Sequence, residues 1–524
     1  MSAAETGRPA PGRSAEGSDP PRRSIAERKT EQLRRRRAAL EGGSGTGAGS
    51  ARGRLEALLD GGSFVELDEF ATSRAVDFGM ADLHLPGDGA ITGFGTIEGR
   101  DVAVYATDPT LLAGSLGEVT AEKIVKVQEL ALRNRIPLLA VYESMGARTQ
   151  EGVAALAGCA AVLSRSARAS GVIPQIGVIA GPCAGTAAHA AGLADFVFLI
   201  SGRGRVLASA AEAALAIEGR GRSPEGNEAD GVRSGLVHFV VEDEAACWAQ
   251  VRHLLSYLPS GSGEPPPFRA TGDDPDRTDP TLQDLAPGDH GHDYDVREIA
   301  GRILDEGQLL EVQPCFAPNL LTGLGRLGGH VVGVVANQPR VLGGALDPDA
   351  CAKGARFVRF CDAFGIPLLT LVDTPGYVPG EDPGRAVREG AKLLYAYAEA
   401  TVPRLTVVTG RLHGESYAAM SPRQMGADLN LAWPSAQIAI RPEEAVEVLF
   451  RRELDSAPEP GRRRAELAAE YAARFANPEV AAERGYVDAV IEPRETRREL
   501  TRALALCRRK RVELPARRHG NVPL

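Results

Sequence analysis

Apolar residues along this chain follow two periods. Short runs rich in Val, Ile and Leu, such as "DVAVYAT" (101–107), "IPLLAVYESMG" (136–146), "HVVGVVAN" (330–337) and "IPLLTLVDTPG" (366–376), have the length and make-up of buried strands. Between them, "AEKIVKVQELALRN" (121–134) and "CAKGARFVRFCDAFG" (351–365) space their apolar residues as helices do. Strands alternating with helices of this length predict crossover units, and so an α/β fold with a largely parallel sheet.

The pattern is used twice. Pro137 and Pro367 both stand in Ile-Pro-Leu-Leu, 230 positions apart, and the same offset lays Gly93 on Gly323, Gly114 on Gly344, Lys123 on Lys353 and Gly146 on Gly376. Further on the offset slips by one, so that Gly181 meets Gly410 and Gly185 meets Gly414. A period this long means two duplicated domains, not a solenoid. The expected boundaries are a basic N-terminal arm at 1–51, disordered to about 23 and helical after it, one domain at 52–257, a Pro/Asp/Gly linker at 258–292 and a second domain at 293–524.

Each copy sends two strands into glycines, at Gly146 and at Gly181-x-x-x-Gly185 in the first, and at Gly376 and at Gly410-x-x-x-Gly414 in the second. A helix that starts at such a turn leaves N–H groups unpaired, with partial positive charge. Backbone donors of this kind hold a developing oxyanion without any ionisable side chain. Each copy thus offers two sets of donors.

Composition narrows the function. A net charge of −9 and 5% aromatic residues give nucleic acid neither a basic footprint nor stacking platforms. Seven scattered cysteines with no C-x-x-C pair argue against a disulfide framework or zinc ribbon, and no metal site is expected. The chain lacks an apolar signal core and any run of eighteen apolar residues, which predicts a cytoplasmic protein without membrane spans. "GLGRLG" (323–328) matches a dinucleotide fingerprint but no helical pattern follows it, and it is rejected. None of the five methionines precedes a lysine, so no biotin-accepting Met-Lys-Met loop is present. His189 and His413 lie near the glycine turns at non-equivalent positions and are assigned surface or packing roles.

From about residue 52 onward the chain resembles the carboxyltransferase β subunits of biotin-dependent acyl-CoA carboxylases, the propionyl-CoA and acetyl-CoA carboxylases of actinobacterial type. The resemblance is carried by "LLDGGSFVELDEF", "GARTQEGV", "SGVIPQIGVIAGPCAG", "ANQPRVLGGALDPDACAKGARFVRFCDAFGIPLLTLVDTPG", "LAWPSAQIAI" and the terminal "RRHGNVPL". It implies two tandem crotonase-like domains of the ClpP/crotonase superfamily, assembled as a homohexamer. It also implies a separate α subunit, a biotin carboxylase with a biotin carrier, that delivers carboxybiotin to an acyl-CoA. In this reading the backbone of Met145, Gly146 and Ala147, with Gly185 and Thr186, serves the thioester. Gly414, Glu415 and Ser416 serve the biotin ureido oxygen, with Gly376, Tyr417 and Ala418 in the cofactor site.

The chain departs from the family phrases at these turns. Ser144-Met145-Gly146-Ala147-Arg148 stands for Ser-Gly-Gly-Ala-Arg, Thr186 for the last glycine of Gly-Pro-Cys-Ala-Gly-Gly, and His413-Gly414-Glu415-Ser416-Tyr417-Ala418 for Tyr-Gly-Gly-Ala-Tyr-Asp. Phe-Ile-Thr-Gly-Pro is missing near "RVLASAAEAA". A side chain at positive φ is strained, so Met145 and Glu415 are the expected points of damage. Ala418, small and uncharged where the family tunes acyl size, is compatible with a larger or altered acyl group. Two alternatives stay open: a catalytically weak paralogue that partners active β subunits, and a biotin-independent acyl-CoA decarboxylase or hydrolase.

Overall fold

The computed structural model describes residues 24–43, 49–83, 87–209, 211–212, 224–285, 294–380 and 382–523. The arm before residue 24 and most of the stretch after "RVLAS" lie outside the described residues. The basic segment forms helix α1 (Ile25–Gly43), and Arg37 in it pairs with Glu69 at 2.8 Å.

Two eight-stranded sheets follow, with the same strand order. The first contains β1 (Val65–Leu67), β2 (Ala90–Ile97), β3 (Arg100–Thr107), β4 (Leu138–Ser144), β5 (Gln175–Ala184), β6 (Phe196–Ile200), β7 (Arg205–Leu207) and β8 (Phe239–Val241). Its order is β1-β2-β3-β4-β5-β6-β8, with β7 extending from β5. The second contains β9 (Leu309–Val312), β10 (Leu320–Leu327), β11 (His330–Asn337), β12 (Leu368–Thr374), β13 (Arg404–His413), β14 (Leu429–Ala432), β15 (Gln437–Ala439) and β16 (Ala489–Val490), with β15 extending from β13. In both, the first two pairings are antiparallel and those that continue through β3–β6 or β11–β14 are parallel.

The offset read from the sequence matches the strands residue for residue at β2/β10, β3/β11 and β4/β12. The one-residue slip falls in a loop. Helix α4 (Val153–Ala169) and its counterpart Pro383–Glu399 still end in register, and the next strands open at Gln175 and Arg404. Helices α2 (Ala51–Leu58), α3 (Glu118–Asn134) and α5 (Thr186–Leu193) complete the first unit's frame. Lys123 and Lys353 are both buried and their ammonium groups tie down the segment that leads into β2 in the first unit and into β10 in the second. Lys123 donates to the carbonyls of Gly87 and Ala90, and Lys353 to those of Gln313 and Phe316.

The strand-ending acids have a packing role. Gly181 and Gly410 lie within β5 and β13, where the ladder to the preceding strand shifts register, and not in the turns expected of them. A Cβ at Gly181 would meet the Glu143 carboxyl carbon at 2.5 Å, and one at Gly410 would meet that of Asp373 at 2.5 Å. Each glycine therefore makes room for the carboxylate that ends the neighbouring strand. Glu143 is held by Arg54 at 2.8 Å, and Asp373 by Arg411 at 2.9 Å and by the Tyr294 hydroxyl at 3.1 Å.

The units share a core. Phe196 meets Phe360 edge to face with centroids 4.7 Å apart, and Arg356 donates to the Ala194 carbonyl at 2.6 Å. The segment expected as a linker is fastened to the second unit where it is described. Arg497 and Arg326 donate to the carbonyls of Asp274 and Pro267, and Leu282 is buried.

Candidate functional site

β4 ends at Ser144, whose hydroxyl donates to the Gly114 carbonyl at 2.7 Å and accepts the Gly146 N–H at 3.1 Å. Gly146 has φ of 89°, open to glycine at little cost. The chain then makes a single parallel bridge, Ala147 to Leu116, formed by Leu116 N–H to the Gly146 carbonyl and Arg148 N–H to the Leu116 carbonyl. In such a bridge the central residue's own N–H faces the other way, and that of Ala147 makes no hydrogen bond among the described residues. Arg148, fully buried, fixes the turn from behind through Asp88 at 2.5 Å and Glu151 at 2.8 Å. The second unit repeats the design. Thr374 Oγ1 accepts the Gly376 N–H at 3.2 Å, Tyr377 bridges Leu346, and the Tyr377 N–H has no acceptor among the described residues.

Beside each of these turns lies the end of the next strand. Gly185 (φ 53°) and Gly414 (φ 63°) reverse the chain there, and a Cβ on Gly146 would sit 3.5 Å from the Gly185 Cα. Gly185 and Thr186 in the first unit, and Glu415 and Ser416 in the second, have N–H groups without an intramolecular acceptor among the described residues.

This geometry corrects part of the residue assignment. The Met145 N–H donates to the Ala113 carbonyl at 3.1 Å, and the Gly414 N–H to the Ala439 carbonyl at 3.0 Å. With Gly146 and Gly376 bonded to their neighbouring hydroxyls, the backbone N–H groups of these four residues are all engaged within the chain. A sequence signal for this existed: the repeat places Pro375, which has no N–H, at the position of Met145. The same offset from Ala147 points to Tyr377, which the sequence reading missed.

Helices do not begin at the first turns as expected, since α4 starts only at Val153 and its counterpart only at Pro383. After the second turn α5 follows at once, but in the second unit only Ser416–Ala419 is helical. Ser421 (φ 52°) before Pro422 ends it, because a residue preceding proline is disfavoured in the helical region. One turn supplies no macrodipole of consequence, so the donors there act as individual N–H groups.

The feared strain does not arise. Neither Met145 nor Thr186 has positive φ, and Glu415 has φ −69° and ψ −17°; the positive-φ positions beside them are still glycines. Met145 packs its side chain on Ala184 and Leu207, Glu415 is exposed, and Ala418 and Tyr417 are half-buried, with the Tyr417 hydroxyl donating to Gln424 at 2.8 Å. Thr186 roofs a small apolar cavity of about 10 Å³ among Tyr105, Ile124, Tyr142 and Val162. His189 is exposed, its Nδ1 2.7 Å from the Gly185 carbonyl oxygen.

His413 does not share the surface position of His189. It is buried at the end of β13 and lines two cavities, one of about 220 Å³ with Gly376, Tyr377, Glu415 and Arg441, and one of about 600 Å³ under helix Pro460–Phe475. Burial, followed by the nearby Arg411 guanidinium, lowers its pKa to about 4, so the ring is neutral at neutral pH. Among the described residues there is no group of three His, Cys, Asp or Glu side chains able to hold a metal.

Residues 45–522 match the carboxyl transferase domain. The chain belongs to the carboxyl transferase family. It is 44% identical over 515 residues to the propionyl-CoA carboxylase carboxyltransferase subunit of Haloferax mediterranei, covering 96% of this chain and 100% of the relative. It is 42% identical over 516 residues to the methylmalonyl-CoA decarboxylase subunit alpha of Veillonella parvula, covering 96% and 100%. Among solved structures it superposes on the transcarboxylase 12S hexamer, described with methylmalonyl-coenzyme A and methylmalonic acid bound, with a TM-score of 0.90 at 41% identity and coverage of 96% and 99%. The resemblance read from the sequence is thereby borne out, as is the tandem crotonase-like fold. This carboxyltransferase is a biotin-dependent enzyme of the acyl-CoA carboxylase type.

Proposed function

We propose that this carboxyltransferase moves a carboxyl group from carboxybiotin, carried on a separate α subunit, to the α-carbon of an acyl-CoA, and that its two units divide the work. The N–H groups of Ala147, Gly185 and Thr186 hold the thioester oxygen as the α-proton leaves and charge builds on it. Those of Tyr377, Glu415 and Ser416 hold the ureido oxygen. Carboxybiotin, when delivered, supplies the carboxyl group and the base. The ureido site fits its ligand: the unpaired N–H groups of Tyr377 and Glu415 belong to residues that line a cavity shared with His413, and the ligand's carbonyl oxygen is an acceptor. Each such donor is worth roughly 3 kcal/mol at a transition state.

The observation that carries this reading is that two unpaired N–H groups recur at equivalent positions of the two units, Ala147 with Tyr377 and Thr186 with Glu415, which suits a reaction that develops two anions. Undistorted turns favour it over a catalytically weak paralogue. Apolar side chains flank both sites, Val153 and Leu156 on α4 and Val448 and Leu449 on helix Pro442–Leu449, and are exposed in the single chain. Their cover in a homohexamer, with one subunit's thioester site against another's biotin site, accounts for them. We place the enzyme in the cytoplasm, in keeping with its seven free cysteines.

The test is transfer of labelled carboxyl. The purified chain, incubated with a biotinylated α subunit, ATP, labelled bicarbonate and a panel of acyl-CoAs, should yield acid-stable label in an acyl-CoA. No label with any of several α subunits and acyl-CoAs would contradict the proposal.

A further inference from the structure

A buried polar atom without a partner is rare in native proteins and calls for a cause. His413 Nε2 is such an atom: it makes no hydrogen bond among the described residues, and the residue is 6% exposed. The backbone of this residue stands between the two turns of the second unit. Its own carbonyl accepts the Ser416 hydroxyl at 2.7 Å, and the Gly376 Cα lies close enough that a Cβ there would come within 3.6 Å of the same oxygen. The cavity of about 220 Å³ that His413 lines is also bounded by Tyr377 and Glu415, two of the three residues with unpaired N–H groups. In the first unit the repeat places Ala184 at this position, so the imidazole belongs to only one of the two sites.

We infer that His413 is a catalytic residue of the ureido site, donating from Nε2 to the ureido oxygen beside the N–H groups of Glu415 and Ser416. The inference rests on the proposed division of the two units. The charged groups facing the ring are Arg411, Arg441, Glu443 and Asp373. Arg411 is held by Asp373 at 2.9 Å and Arg441 by the Pro375 carbonyl at 2.6 Å, whereas His413 Nε2 has no hydrogen-bond partner among the described residues. A neutral ring suits the task, because it donates a hydrogen bond to the developing charge while keeping its proton. It also replaces a donor the fold has used elsewhere, the Gly414 N–H bound to Ala439.

A purely structural histidine and a catalytic one predict opposite outcomes for His413→Phe. If the ring awaits a ligand, phenyl removes an unsatisfied buried nitrogen, and the melting temperature holds or rises. Carboxyl transfer then falls by 10²- to 10³-fold in kcat, the cost of one lost oxyanion donor. The KM for acyl-CoA stays unchanged, since that ligand sits on the other unit. His413→Gln, which keeps a donor, recovers part of the rate. The inference is overturned if His413→Phe transfers at the wild-type rate, or if it loses stability and rate together and His413→Gln recovers neither. A wild-type protein that transfers nothing, yet binds acyl-CoA in calorimetry, would instead overturn the assignment of the second unit to biotin, and the inference with it.

Discussion

One oxygen of Asp373 accepts both the backbone N–H of Arg411, at 3.0 Å, and its Nε–H, at 2.9 Å. The carboxylate occupies the space that Gly410 leaves empty, so the acid, the arginine and the glycine form one unit of packing. Asp373→Ala leaves the arginine without its partner and should cost about 3 kcal/mol in urea unfolding. Gly410→Ala drives a methyl into the carboxyl group and should cost roughly 2 kcal/mol. The double variant should lose clearly less than the two losses added together, because removing the carboxylate makes room for the methyl. Strict additivity would show that the two residues do not compete for the same space.

His413 gives stability a defined pH dependence. Its folded pKa, about 4, lies below the ordinary 6.5. Between those values the unfolded chain binds the extra proton, so stability rises with pH across that window. The contribution is fully present above 6.5 and is lost as pH falls toward 4, to the extent of roughly 3 kcal/mol. Melting curves of the wild type and His413→Phe from pH 4 to 8 should converge above 6.5 in slope, with the variant flatter below it. Parallel curves throughout would assign the acid sensitivity to other groups.

Much of this architecture was legible in the sequence. The 230-residue offset is a property of strand and helix lengths, and buried strands at matching positions follow from it. Which N–H groups stay unpaired was not legible, because the decision is made by carbonyls far along the chain: Ala113 takes the Met145 N–H and Ala439 that of Gly414. The larger His413 cavity is likewise completed by helix Pro460–Phe475, which no local pattern links to β13. Proline at 375 and the repeat of Ala147 at Tyr377 were the two local signals that compare the copies directly.

On the proposed division of the two units, Glu415 and Met145 should tune different half-reactions. Glu415 is exposed at the ureido turn, where its charge opposes the developing anion by about 1 kcal/mol or less through solvent. Glu415→Gln should therefore raise transfer a few-fold for every accepted acyl-CoA, and the gain should vanish at high salt. Met145 is uncharged and packs on Ala184 and Leu207 beside the thioester turn, so Met145→Gly should change the ranking among acyl-CoAs. Rates and rankings unchanged in both variants would remove the distinction between the two sites.

No Met-Lys pair stands in the sequence, and the carrier is proposed to be a separate subunit. A streptavidin blot of the purified protein should be blank. Covalent signal on this polypeptide would place carrier and transferase in one chain.

The central claim is the assignment of one set of backbone donors to each anion, and a cryo-electron microscopy structure of the assembly with propionyl-CoA and biotin bound tests it most directly. The thioester oxygen should lie about 3 Å from the nitrogens of Ala147, Gly185 and Thr186 of one subunit. The ureido oxygen should lie at the same distance from those of Tyr377, Glu415 and Ser416 of its neighbour. A thioester seated on the second unit, or either oxygen out of reach of these nitrogens, would contradict the account.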